Sequence, residues 1–202
     1  MFLFYLSPAH GSSKEMNRPY NITLASGSPR RKELLQILIT HFQIRVPSID
    51  ETPQTKEPAI SYVKRLAQEK AESLPLQDHE CLLAADTIVH VGARLLGKPT
   101  NSAHATEMLK LLSGKTHQVS TGVCLRTANT NTLFSVSTDV TFRTISCDEI
   151  EAYVATGCPM DKAGAYAIQG GAAAFVRTIH GSYTNVVGLP LCEVSEALSN
   201  LG

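Results

Sequence analysis

The sequence predicts an α/β fold built on one mixed, elongated β-sheet flanked by helices. Three observations predict it. Residues 20–38 read as strand, sharp turn and helix; residues 81–91 form a near-continuous apolar run suited to a strand buried on both faces; and helical and extended periods intermix along the rest of the chain. Some of the predicted strands are joined by helices and others by hairpins, which makes the sheet mixed.

The elements follow in order. Residues 20–25 form a strand, which Ser26-Gly27-Ser28-Pro29 breaks. A helix then carries Leu34, Leu35 and Leu38 at helical spacing, with Ser28 as N-cap and Pro29 as first helical residue. Residues 42–46 alternate Phe42, Ile44 and Val46 with Gln43 and Arg45, a strand with one wet face. After a loop holding Asp50, Glu51, Pro53 and Pro58, residues 59–74 place Val63, Leu66, Ala67, Ala71 and Leu74 on one helical stripe. The strand at 81–91 is followed by a turn at Gly92, a short strand at 94–96 and the connection Gly97-Lys98-Pro99. A helix from 101 or 102 to 112 ends at Gly114. Residues 119–126 and 133–145 read as a pair of strands, and Ser146 with Glu149 forms a capping box for a helix reaching 155. Residues 161–171 are a loop by their Gly and Ala content, 174–179 a last strand, and 190–201 a closing amphipathic helix.

Composition bounds the function. The 202 residues suffice for one substantial core, read as a single domain over 20–202 preceded by a loosely ordered tail over 1–19. Lys+Arg and Asp+Glu balance at 18 each, so no global basic field exists to bind a nucleic-acid backbone. The five cysteines are odd in number and lack any C-x-x-C spacing, which argues against a disulfide framework or zinc knuckle and for a reducing cytoplasm. No run approaches the roughly 20 apolar residues of a membrane span. The chain also lacks G-x-G-x-x-G, G-x-S-x-G and H-E-x-x-H. Ser113-Gly114-Lys115-Thr116 ends like a phosphate-binding P-loop, but Leu109 stands where its first glycine belongs and a helix precedes it.

Six features carry chemistry. A strand ending in Ser26-Gly27-Ser28 at a helix start offers backbone N–H groups, hydroxyls and a positive dipole end to an anion, and Arg30 and Arg31 add planar forks. A capped helix with two solvated arginines has the same pattern. Lys70 falls inside the apolar stripe of its helix, where an ammonium must snorkel, pair or reach into a cleft. Asp86 interrupts an apolar strand, where a carboxylate must be paired, metal-bound or protonated. Glu51 is either a second hard oxygen ligand for a divalent cation or a solvated loop acid, and Lys98 in its tight connection is either a phosphate contact or a surface turn. In the small-residue stretch from Asp161 and Lys162 to Gly171, Gln169 offers one acceptor and two donors, a match for a uracil or thymine edge in one orientation and for adenine when flipped, so its neighbours must impose the choice.

Taken together, Leu24-Ala25-Ser26-Gly27-Ser28-Pro29-Arg30-Arg31, Ala85-Asp86-Thr87, Gly97-Lys98-Pro99, Ser113-Gly114-Lys115-Thr116-His117, Asp161-Lys162-Ala163-Gly164-Ala165-Tyr166 and Val187-Gly188-Leu189-Pro190-Leu191 resemble the Maf family of nucleotide pyrophosphatases, from about residue 22 to the C-terminus. The resemblance implies a Maf/ITPase-like fold with a nucleotide-binding cleft. It implies hydrolysis of a nucleoside triphosphate to monophosphate and pyrophosphate with a divalent cation, magnesium or manganese, in a cytoplasmic homodimer that binds neither nucleic acid nor membrane. Asp161 to Tyr166 followed by Gln169 resembles the dTTP/UTP branch, with removal of modified pyrimidine nucleotides and a link to cell division arrest as associated roles. By position, Asp86 is the proton acceptor, a metal ligand with Glu51, or both. Arg30, Thr87 and Gln169 match the substrate-specificity positions, and Ser26, Arg31, Lys70 and Lys98 line the phosphate cleft. Asp161 and Lys162 support the loop. Ala167 departs from the family, which usually has glycine there. A nucleotide-sensing regulatory protein is the competing expectation.

Overall fold

A computed structural model describes residues 20–201; the tail expected over 1–19 lies outside the described residues, as does residue 202. The first strand, β1 (Asn21–Ala25), leads into helix α1 (Pro29–Leu38), then β2 (Gln43–Arg45), helix α2 (Ala59–Glu72), and the long strand β3 (Glu80–Val91). There follow β4 (Arg94–Leu96), α3 (Ser102–Leu112), β5 (Thr116–Arg126), β6 (Asn131–Phe142), α4 (Cys147–Ala155), β7 (Val176–His180), α5 (Tyr183–Val187) and α6 (Leu191–Ser199).

One seven-stranded sheet runs β2-β1-β3-β5-β6-β7, with β4 attached to β3. Pairing is parallel for β2-β1 and β1-β3 and antiparallel elsewhere, the mixed sheet expected. Local signals place most boundaries. Ser28 caps α1 by accepting the Arg31 backbone N–H, with Pro29 next, and Ser146 and Glu149 form the reciprocal capping box of α4.

Several expectations shift, among them the start of the strand expected at 119, which begins at Thr116. The strand expected at 133–145 begins at Asn131 and stops at Phe142, because Arg143 bonds Phe175 and Ile145 bonds the Ser113 hydroxyl instead of continuing the ladder. The last strand starts at Val176 rather than 174, since residues 171–175 coil into a 3-10 turn. Helix α5 is not foreseen at all: five residues are too few to show a 3.6-residue period.

The helices divide between the two faces. Leu24, Leu83, Ala85 and Val89 point into the larger core with Leu34 and Leu35 of α1, Leu109 and Leu112 of α3, Ile150 of α4 and Val194 of α6. Helix α2 covers the other face, its Ala67 and Ala71 against Ala84 and Cys124 and its Tyr62, Val63 and Leu66 against Ile88. The closeness of α2 depends on Gly122 of β5, where a Cβ would lie 2.3 Å from the Val63 carbonyl oxygen.

The larger core contains one buried histidine. His117 Nε2 meets the Tyr166 hydroxyl at 2.8 Å, its ring packs edge-on against Phe142 and Tyr166, and its Nδ1 is buried without a partner. Burial, then the neighbouring His90, pushes its pKa down to about 4. The unfolded chain therefore binds a proton near pH 6.5 that the folded chain refuses until about pH 4. Stability is present above the unfolded value and falls as pH drops, by roughly 2 kcal/mol between pH 7 and 4.5 from this group. Urea unfolding of wild type and His117→Asn at both pH values measures it. The variant's deficit narrows toward acid; a gap that does not change with pH refutes the assignment.

Candidate active site

Side chains alternate along β3, so the consecutive residues Asp86 and Thr87 face opposite sides of the sheet. Beyond the Ala25–Ala84 pair β1 has ended, and β4 joins β3 only at Val89. Residues 85–88 therefore lack a neighbouring strand on that side, and a cleft of about 620 Å³ opens there. It lies beyond the carboxyl ends of β1 and β2, where α1 and α2 leave for opposite faces of the sheet, the usual ligand crevice of an open α/β sheet.

Each face delivers a cation. From α2, Lys70 Nζ donates to Asp86 Oδ1 at 2.6 Å and meets Glu51 Oε1 at 2.7 Å. Asp86 is 7 % exposed. Burial raises its pKa, and Lys70 and Arg31 offset this only in part, with Glu51 adding to the rise. At half-exposed Glu51 burial also works upward, yet the hydrogen bond and charge of Lys70, with Lys98 and Arg31, leave the pKa lowered. The Tyr62 hydroxyl donates to the Glu51 carbonyl at 2.9 Å and fixes this loop on α2.

From α1, Arg31 spreads its fork across the cleft wall. Nε donates to the Gly188 carbonyl at 2.8 Å, Nη2 to Thr87 Oγ1 at 3.1 Å and Nη1 to Ser26 Oγ at 3.3 Å. Ser26 Oγ also accepts the Ser28 N–H at 3.2 Å, so its own proton is directed to neither partner. The chain thus gathers a helix start, an arginine, a lysine and two carboxylates into one cleft.

The far rim is the stretch 161–171. Arg30 approaches Asp161 at 3.8 Å, and Asp161 pairs with Lys162. Gly164 N–H bonds the Gly97 carbonyl, tying this rim to the Gly97-Lys98 connection. Gly164 (φ +66°) and Ala165 (φ 59°) are both left-handed, and a Cβ on Gly164 would meet Val89 at 2.9 Å, so small residues are required there. Ala167 is different. Positive φ outside glycine occurs among the described residues at Lys56, His79 and Ala165, so alanine at 167 sits in ordinary backbone. Its N–H donates to the Tyr153 hydroxyl, and its carbonyl accepts from Gly170. Gln169 lines the cleft, and among the described residues no partner holds its amide.

All the residues singled out by sequence, namely Ser26, Arg30, Arg31, Glu51, Lys70, Asp86, Thr87, Lys98, Asp161, Lys162 and Gln169, line this cleft. Sequence reasoning allowed for a pairing of Lys70 and of Asp86 without saying which groups meet, and it missed Tyr62 and the contribution of α5 through Gly188. The Ser182 cap with Asn185 three residues on was the available signal for α5.

Fold and cleft define the class: an α/β protein with a crevice lined by arginine, lysine and carboxylate side chains at a topological switch point. A family model described as Maf-like protein matches residues 21–201, and the chain belongs to the Maf family. It is 52 % identical over 179 residues to a dTTP/UTP pyrophosphatase of Salmonella typhimurium, covering 88 % of this chain and 91 % of the relative. It is 49 % identical over 185 residues to a dTTP/UTP pyrophosphatase of Geobacter sp., covering 90 % and 96 %. Among solved structures, the Staphylococcus aureus Ham1 protein shares the fold with a TM-score of 0.51 and 13 % identity, covering 90 % of this chain and all of that one. Among the described residues no helix is long and apolar enough to cross a membrane.

Proposed function

We propose that this chain is a nucleoside triphosphate pyrophosphatase that hydrolyses dTTP and UTP to the monophosphate and pyrophosphate. One observation carries the chemistry: a desolvated carboxylate, Asp86, held by Lys70 on the wall of a cleft that Arg31 and Ser26 also line. The relatives' names, at about 50 % identity over most of both chains, support the substrate class.

In this reading Asp86 takes a proton from a water molecule as the water oxygen bonds to the α-phosphorus. The bond from that phosphorus to the bridging oxygen breaks, and pyrophosphate leaves with its electrons. Desolvation makes Asp86 a stronger base than a surface aspartate, and Lys70 orients it and offsets part of that rise. Arg31, with Lys98 at the mouth, holds the leaving phosphates, and the Ser26 hydroxyl donates to them. Gln169, Arg30 and Thr87 select the base, the unpartnered Gln169 amide being free to bond a pyrimidine edge.

A divalent cation fits the donor set. Glu51 and Asp86 reach the same nitrogen, so their oxygens lie close together, and magnesium or manganese is commonly held by one or two carboxylates completed by substrate phosphates. When bound it supplies charge neutralisation on the triphosphate. Cytoplasmic residence and a homodimer belong to the same proposal, as do modified pyrimidine nucleotides as substrates. Sedimentation measures the dimer.

The deciding experiment incubates the protein with dTTP, UTP and other triphosphates plus magnesium or manganese and identifies products. Monophosphate and pyrophosphate from the pyrimidine nucleotides are expected. Tight binding without product would favour nucleotide sensing, and orthophosphate alone would overturn the proposal.

A further inference from the structure

Behind Arg31 lies a polar chain that runs along one face of the sheet, from β3 across β5 to β6 beneath α5. Thr121 is fully buried on β5, opposite Thr87, and Asn185 is fully buried on α5. The direction of the hydrogen bonds from Asn185 to Arg31 through Thr121 and Thr87 follows from one fact. The Asn185 backbone carbonyl can only accept, so Thr121 Oγ1 donates to it, at 3.1 Å. Thr121 Oγ1 has then spent its one proton and must accept in its 2.9 Å contact with Thr87 Oγ1. Thr87 therefore donates inward and presents only lone pairs to the cleft side, where Arg31 Nη2 donates to it.

The far end is anchored equally firmly. Asn185 Nδ2 donates to the Val119 carbonyl and to Thr138 Oγ1, both at 2.9 Å, which fixes the amide orientation because the Val119 carbonyl accepts only. Thr138 Oγ1 in turn donates to the Ser182 carbonyl and accepts the Ser182 N–H. The segment from Ser182 to Gly188 is thus pinned to β5 and β6, and its end supplies the carbonyl that receives Arg31 Nε. Two of the three bonds that aim the Arg31 fork trace back to Thr121 and Asn185.

We infer that Thr121 and Asn185 are positioning residues for Arg31: they polarise Thr87 as an acceptor and hold the Gly188 carbonyl, so that the guanidinium faces a phosphate chain in one orientation. Thr87 in this scheme orients the arginine from beneath, in addition to facing the nucleotide. The inference rests on the proposed pyrophosphatase function for its kinetic readout, while its binding readout needs only a polyphosphate.

The test is Thr121→Val, equal in shape and lacking the hydroxyl, with Thr121→Ser as the conservative variant and Thr116→Val as control. Thr116, also on β5, makes a comparable cross-strand hydroxyl pair with Thr141 of β6, outside the cleft. Thr121→Val should lower kcat/KM for dTTP and weaken calorimetric binding of inorganic tripolyphosphate, each roughly tenfold. Thr121→Ser should restore both to about twofold of wild type, and Thr116→Val should leave both unchanged. The decisive comparison is a cycle with Arg31→Lys, which keeps the charge and loses the fork. If Thr121 acts through Arg31, the double variant is no worse than Arg31→Lys alone. Additive losses, or a Thr121→Val protein that binds tripolyphosphate like wild type, overturn the inference. A wild-type protein that binds tripolyphosphate but releases no pyrophosphate from any triphosphate sinks the proposed function instead, and the binding cycle still decides the positioning role.

Discussion

Asp86→Asn should lose pyrophosphate release by roughly 10²- to 10⁴-fold, the range a positioned general base supplies, while nucleotide still binds. The amide keeps the shape of the carboxylate and can accept from Lys70, so the cleft stays intact, but it cannot take a proton from water. Its stability should move the other way. Because burial raises the folded-state pKa of Asp86, an ionised carboxylate there costs stability at neutral pH; stability from this group is greatest below the unfolded value and declines as pH rises. In metal-free buffer the Asn variant should therefore unfold at or above the wild-type temperature. Full turnover by the variant would remove Asp86 as base, and a sharp drop in melting temperature would mean that the Lys70 pair chiefly holds the fold. Nucleotide binding by calorimetry separates loss of chemistry from loss of substrate.

Gly122→Ala is expected to be the most damaging small change in the core. The added Cβ would sit 2.3 Å from the Val63 carbonyl oxygen and 2.8 Å from the Lys64 nitrogen, backbone atoms of α2 that cannot rotate away. Overpacking of this kind costs typically 1–3 kcal/mol and occasionally more, here at the upper end because the whole helix must shift. For a chain this size about 3 kcal/mol corresponds to roughly 6–12 °C in melting temperature. The loss should reach the active site as well. Gly122 is the cross-strand partner of Asp86, and α2 carries Lys70, so a helix pushed outward lengthens the Lys70–Asp86 bond. Calorimetric melting and turnover measured on the same sample should fall together; an unchanged melting temperature would show that α2 accommodates the methyl group.

That glycine illustrates the limit of reading this chain linearly. Ser28-Pro29 and Ser146 with Glu149 state where two helices begin, because a cap is a contact between residues three apart. The apolar run at 81–91 announces a buried central strand by composition. The anomaly of Asp86 is equally local: a carboxylate amid leucine, alanine, isoleucine and valine has to be compensated by something. Which partner compensates it is not local. Lys70 lies 16 residues away on an element whose distance from β3 is set by Gly122, and in sequence Gly122 is one small residue in a strand. Similarly, Val187-Gly188-Leu189 belongs to a motif of the Maf resemblance, but the Gly188 carbonyl acquires a role only when α5 is folded against β5 and Arg31 arrives from residue 31.

The sequence by itself determined the α/β class, the main helix starts and the buried strand, since periodicity and caps are written within a few residues of one another; the cleft residues it named came from misplaced charges together with the Maf resemblance. Only the tertiary structure decided how those residues are wired: that Lys70 bridges Asp86 and Glu51, that Arg31 is aimed by Thr87 and Gly188, and that Ala167 fits its loop without strain. The reason is geometric. Hydrogen bonds act over about 3 Å, and the groups that make them here come within that distance only after two helices have packed on opposite faces of the same strand.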